Sequence, residues 1–170
     1  MRLVIAAVAV IAVGGAALAQ HHHKSAPYAG MQERPIKALN KQQVADLRAG
    51  RGMGLALAAE LNGYPGPIHV LELADELQLT AEQRGRMRVL TDEMKAEAVP
   101  IGEQLIARER ALDQAFASRQ ITSAGLAAMT AQIGAAQGEL RAVHLKYHLT
   151  TAMLLSDHQR QRYAELRGYR

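Results

Sequence analysis

An all-α fold, built on a long kinked antiparallel helical hairpin with short flanking helices, is the class this sequence predicts. Three observations predict it. Apolar residues keep three- and four-residue spacings over two long stretches, the period of an amphipathic helix. No segment alternates with a period of two, the mark of a half-buried strand. The pattern Leu-Ser/Thr-x-x-Gln occurs twice, at Leu79, Thr80 and Gln83 and, 76 positions later, at Leu155, Ser156 and Gln159. Locally this pattern is a capping box. The Ser or Thr hydroxyl accepts from an orphan first-turn N–H, and the Gln side chain reaches back to the cap's own N–H. Each copy therefore predicts a helix start.

Residues 1–19 are expected to be a signal peptide. Met1-Arg2 precedes an apolar, Ala-rich run from Leu3 to Leu18, and Ala17-Leu18-Ala19 is a small-x-small cleavage site. The run falls short of the roughly 20 residues that span a bilayer, so export with cleavage before Gln20 is expected. Residues 20–39 carry His21-His22-His23, Pro27, Gly30 and Pro35 without periodicity and read as a flexible leader. A single helical domain is expected over 40–170.

Within that domain, Asn40-x-x-Gln43 is a third capping box. It predicts a helix holding Val44, Leu47, Leu55, Leu57, Ala58 and Leu61 and ending at Asn62-Gly63. Tyr64-Pro65-Gly66-Pro67 predicts a rigid turn. A short helix over Ile68–Leu77 then presents Val70, Leu73, Ala74 and Leu77 on one face. From Thr80, the stripe Met87, Leu90, Met94, Ile101, Leu105, Leu112 and Phe116, with Ala98 filling the gap, predicts one long helix. Pro100 inside it should kink it. After a turn around Ser118–Ile121, Thr122 caps a second long helix with the stripe Leu126, Met129, Ile133, Ala136, Leu140, Val143, Tyr147 and Leu154. A last helix follows Ser156 through Tyr163 and Leu166. Two stripes joined by a short turn form an antiparallel hairpin. Its core is thin, so the N-terminal helices, a second subunit or both must cover the remaining apolar face.

Composition excludes several kinds of chemistry. With no cysteine the chain can use neither disulfides nor thiolate catalysis. Removal of residues 1–19 takes Arg2 from the 20 basic residues, leaving 19 against 16 acidic ones, a net charge of +3. The cations are interleaved with acids and aromatics are few, which argues against nucleic acid. The mild positive charge suits acidic polypeptides or an anionic membrane surface. Gly50-Arg51-Gly52-Met53-Gly54 has neither the preceding strand nor the Lys-Ser/Thr ending of a phosphate loop. No nucleophile elbow, His-Glu-x-x-His pair or catalytic acid pair is present, so the chain reads as non-enzymatic.

Two constellations remain as candidates. His144 and His148 stand one helical turn apart, so both imidazoles can face one divalent transition metal such as Zn, Cu, Ni or Co. Further ligands would come from His69, Glu72, Asp92, Glu93, Met94 or His158, or from His21–His23 folding back. The rival reading has both rings flanking the apolar stripe and hydrogen-bonding to neighbours. Arg84, Arg86 and Arg88 crowd the first turns of the long helix, where the macrodipole prefers acids. Together with Met87 and Met94 they form a candidate binding surface, since flexible thioethers suit promiscuous contacts. The alternatives are solvated arginines and methionines filling the core.

The doubled motif in a small, exported, cysteine-free helical chain resembles the Spy/CpxP family of periplasmic proteins, over roughly residues 66–169. The second copy carries Ser156 in place of Thr. The resemblance implies a hooked helical hairpin, paired into a homodimer whose concave face binds unfolded or partly folded envelope proteins without ATP. It also implies a role in envelope stress responses, with a membrane sensor kinase or an anti-sigma complex as a further partner. Arg84, Arg86, Arg88, Met87 and Met94 would then be client-binding. A related branch, similar to CnrX and ZraP, consists of periplasmic heavy-metal sensors and resistance proteins. Its His-x-x-x-Met pair falls on His144 and His148, with His in place of Met. Its earlier His pair falls on Val70 and Ala74, with His69 one residue out of register, and its acidic ligand falls near Thr91 and Asp92.

Overall fold

The computed structural model describes residues 26–169, so the expected signal peptide and His21–His23 lie outside the described residues. Among the described residues there are six α-helices and no named strand. These are α1 (Lys41–Arg48), α2 (Leu57–Glu60), α3 (Pro67–Glu72), α4 (Ala81–Ala117), α5 (Ser123–Met153) and α6 (Asp157–Leu166). The fold class is the one expected. No helix among the described residues is long and apolar enough to cross a membrane.

All four helix starts expected from capping chemistry are present. Asn40, Thr80 and Ser156 each form a complete capping box with Gln43, Gln83 and Gln159, and the Thr122 hydroxyl accepts from Gly125 N–H. α4 runs through Pro100 as one continuous helix, with the ring on the exposed side.

The expected single helix over 41–61 is corrected to two short ones. Gly50, Met53 and Gly54 adopt positive φ of 63°, 43° and 83°, a left-handed region that ends an α-helix. The stop at Asn62-Gly63 is as expected, with Gly63 at φ 85°. The helix expected over Ile68–Leu77 begins with Pro67 at its first turn and ends at Glu72, and turns follow. Val70, Ala74 and Leu77 are nevertheless buried as expected.

α4 and α5 form the hairpin, and two clusters of buried side chains lie along it. One joins Val70, Leu77 and Leu79 to Met87, Leu90, Met94, Tyr147, Leu155 and Tyr163. The other joins Ile36 and Leu47 to Ala98, Ile101, Leu105, Ile133, Ala136 and Leu140. α3 and α1 thus cover successive halves of the same face. α1 comes close because of Gly102, where a Cβ would sit 2.7 Å from the Leu47 carbonyl oxygen. The turn before α1 reaches as far as Asp113, which Lys37 meets at 3.3 Å, and leaves the hairpin tip largely open. Phe116 and Leu126, expected in the buried stripes, are therefore 52% and 38% exposed.

The two Leu-Ser/Thr-x-x-Gln copies meet. Gln83 Nε2 donates to Gln159 Oε1 at 2.9 Å, and Gln159 Nε2 donates to Gln83 Oε1 at 3.0 Å. The second amide hydrogens go to the Leu154 and Leu77 carbonyls, at 2.9 and 3.3 Å. Each Oε1 also accepts from its own cap, Thr80 N–H or Ser156 N–H. All four amide hydrogens are used and each oxygen takes two bonds, the full capacity of a carboxamide. Leu79 and Leu155, the first residue of each copy, are buried in the same cluster.

Two outcomes follow from this packing. Gln83→Ala and Gln159→Ala should each cost about 1–3 kcal/mol by orphaning partly buried partners. The double variant should lose less than the sum, a coupling of about 0.5–3 kcal/mol in a urea-denaturation cycle. Gly102→Ala should destabilise by about 1–3 kcal/mol through overpacking against α1. Gly134→Ala, in the same hairpin with nothing within 4 Å of an added Cβ, should stabilise by up to about 1 kcal/mol through helix propensity.

Candidate functional site

The second half of α5 carries four polar residues on its buried face. His144, Tyr147, His148 and Thr151 fall at helical spacings and all four are buried, the imidazoles beneath Gly52 and Gly66 and Tyr147 against Glu97 of α4. His148 Nδ1 lies 2.7 Å from the Tyr64 carbonyl oxygen. A carbonyl only accepts, so this nitrogen carries the proton and donates. The other nitrogen, Nε2, lies against Gly66, where a Cβ would be 2.8 Å away. His144 sits under Gly52, and its Nε2 is buried without a hydrogen-bond partner.

Glu60 is the buried carboxylate of this region, 7% exposed. Its Oε1 accepts hydrogen bonds from Tyr163 OH and, at 3.2 Å, from Tyr169 OH. Its Oε2 accepts from Gly66 N–H at 3.3 Å and stands 3.6 Å from His148 Nδ1. Four parts of the chain are tied to one acid: the Gly66 turn, α5, α6 and the C-terminal Tyr169. Burial, followed by the hydrogen bond to the Glu60 carboxylate, pushes the Tyr163 hydroxyl far above the usual tyrosine range. On the α4 side, Glu97 accepts from Lys146 and from Tyr147 OH at 2.7 Å. The Lys146 hydrogen bond, then that of Tyr147, holds its carboxyl below the usual glutamate value.

A cavity of about 550 Å³ collects His69, Glu72, Met94, His144 and His148, five of the sequence-derived metal candidates. Asp92, Glu93 and His158 do not line it. The five do not make a metal centre. Among the described residues no three His, Asp or Glu groups are placed to hold a metal ion. His148 already spends Nδ1 on Tyr64 and has Nε2 against Gly66, while His69 pairs with Glu72 at 3.0 Å. The residues present thus do not fit a metal at the helical His144/His148 pair.

The expected client surface is also corrected. Met87 and Met94 are 0% and 4% exposed because α3 packs over the first half of α4. Arg84 is turned inward, donating to the Leu79 and Ala74 carbonyls and to Asp75. Of the five residues, Arg86 and Arg88 alone stand in solvent.

A cluster of exposed apolar side chains lies elsewhere. Leu61, Tyr64, Leu149 and Met153 are 58%, 43%, 52% and 77% exposed and line one open groove of about 1010 Å³ between the α2–α3 segment, α5 and α6. Arg160 and Asp157 also line it. Sequence reasoning missed this groove. Its available signal was that Leu149 and Met153, four apart, lie off the stripe running through Leu140, Val143, Tyr147 and Leu154.

Acidification tests the His144 environment. Burial first, and the neighbouring His148 second, lower its pKa below the usual value of 6.5. On acidification an unfolded imidazole takes up a proton near that value while the folded ring resists. The associated stability is thus complete above pH 6.5 and is lost as pH falls through the folded pKa. Urea midpoints at about pH 7.5 and about pH 5 should differ less for His144→Gln than for the wild type. Equal shifts would show that the ring does not feel its burial.

The LTXXQ motif family model matches residues 68–167, more than half of the chain and both motif copies. Comparison with curated proteins and with solved structures finds no match. The matched span runs from the helix before Thr80 to the end of α6, with the Gln83–Gln159 pair inside it. By that match the chain belongs to the LTXXQ motif family, of Spy/CpxP type.

Proposed function

We propose that this protein is a periplasmic, ATP-independent binder of unfolded or partly folded envelope proteins, acting as a homodimer after removal of residues 1–19. The carrying observation is the open groove of Leu61, Tyr64, Leu149 and Met153. Exposed apolar side chains gathered in one place mark interaction surfaces. The thioether of Met153 and the amphipathic ring of Tyr64 adapt to many partners without a fixed register. The tyrosine network on Glu60 stiffens the groove's wall through Tyr163 and Tyr169, so flexibility resides in the side chains rather than the frame. Family membership supports the same reading.

The metal-sensing alternative has less support, because His148 is committed to Tyr64 and no third ligand group joins His144 among the described residues. Weak, many-client binding needs neither a catalytic group nor a cofactor.

Mature protein should slow the aggregation of at least two unrelated chemically unfolded clients, followed by light scattering. Leu149→Ser/Met153→Ser should weaken that protection by about threefold or more, since each exposed apolar contact is worth roughly 1 kcal/mol. Both positions are exposed, so the fold should be kept. Absence of protection in the wild type would falsify the proposal. Unchanged protection in the double variant would move the binding surface elsewhere.

A further inference from the structure

A second groove, sharing no lining residue with the first, lies between the Pro35–Leu39 turn, α1 and Arg110 of α4. It is an open groove of about 640 Å³, a volume in the range of roughly 300–1,000 Å³ that small-molecule sites also have. Its apolar surface comes from Ile36, Leu39 and Val44, with Pro35, Ala45 and Ala49 beside them. Ile36 is anchored in the hairpin core at 3% exposure, and the Leu39 N–H bonds its carbonyl at 3.2 Å, which holds the turn closed.

Every polar side chain that lines the groove is a cation: Lys41, Arg48 and Arg110. No acid, hydroxyl or amide side chain among the described residues joins them. Arg48 meets Glu103 in an exposed pair at 2.8 Å. Among the described residues Lys41 and Arg110 form no ion pair or side-chain hydrogen bond. Lys41 and Arg48 stand two turns apart on α1, roughly 10 Å along its axis, so positive charge borders the apolar strip along much of its length.

This lining selects its ligand. A polypeptide laid in the groove could offer its carbonyls to the three cations, but its backbone N–H groups would meet no side-chain acceptor in the lining, at a cost of about 1–3 kcal/mol for each one buried unpaired. A hydrocarbon chain brings none, and a single anionic head satisfies the cations. We propose that the groove binds a single-chain anionic amphiphile, a free long-chain carboxylate, with its tail along Ile36, Leu39 and Val44 and its carboxylate among Lys41, Arg48 and Arg110.

Dodecanoate, titrated calorimetrically into the mature protein below its micelle-forming concentration, tests this. Saturable binding at one site per chain is expected, with amide NMR shifts confined to residues 35–49 and the neighbourhood of Arg110. Lys41→Glu/Arg110→Glu should weaken binding by about two- to thirtyfold through loss of two exposed ion pairs, and so should replacing dodecanoate by uncharged dodecyl maltoside. Both substituted side chains are exposed. If circular dichroism shows the charge-reversed variant unfolded, Lys41→Gln/Arg110→Gln replaces it, with the same expectation. The proposal is overturned by absence of saturable binding, by equal binding of the uncharged probe, by shifts mapping to another region, or by unchanged affinity in the folded variant. Binding only to anionic phospholipid vesicles, only to an acidic amphipathic peptide, or only by self-association in light scattering overturns it too. Client protection is read at Leu149 and Met153, so failure here leaves that result untouched.

Discussion

The carboxamides of Gln83 and Gln159 hydrogen-bond to each other in both directions, and the two ends of the hairpin are held together at that pair. Each glutamine also closes the capping box of its own helix. Starting α4, starting α6 and joining the two starts are therefore one structural event. The remaining amide hydrogens reach the Leu154 and Leu77 carbonyls, at the end of α5 and in the segment after α3. A net value of about 0.5–1.5 kcal/mol per hydrogen bond is modest. The larger constraint is that neither amide can move without orphaning partners on three segments at once. Leu79 and Leu155 add burial beside the pair. Within each copy of the repeat the leucine packs, the hydroxyl residue caps, and the glutamine both caps and joins.

What this junction organises is a frame with polar side chains buried in it rather than an apolar core alone. Glu60 gathers Tyr163, Tyr169, Gly66 and His148 around one carboxylate. The glycines of the covering segment are pressed onto the α5 imidazoles. A buried acid supplied with several donors avoids the cost of desolvation without a partner. It also sets where the groove of Leu61, Tyr64, Leu149 and Met153 opens. The second groove depends instead on Gly102, which lets α1 settle against α4 and places Lys41 and Arg48 beside the strip of Ile36, Leu39 and Val44.

The helix starts were legible because capping is local: Asn40, Thr80, Thr122 and Ser156 need only residues three positions on. The buried stripes from Met87 to Leu105 and from Ile133 to Tyr147 were legible from periodicity. The break between α1 and α2 was visible as a run of glycines, yet the apolar spacing of Leu47, Leu55 and Leu61 pointed to one helix. The left-handed backbone at Gly50, Met53 and Gly54 prevailed. Phe116 and Leu126 kept the stripe's spacing at the tip, but no covering element among the described residues reaches them. Met87 and Met94 changed from surface candidates to core because α3 lies over them. The His144 and His148 pair was correctly placed on one face, but its chemistry depended on Tyr64, Gly66 and Gly52, distant in sequence.

By itself, then, the sequence determined that this chain is helical, where four of its helices start, which stripes meet in a hairpin and which family it belongs to. These properties rest on local hydrogen bonds and on a period that repeats along the chain. Only the tertiary structure decided that the two motif glutamines clasp one another, that the α5 imidazoles are covered with His148 engaged by Tyr64, and that Leu149 and Met153 are left in the open. Each of these turns on which distant segment comes to lie over a given side chain, and no spacing along the chain encodes that.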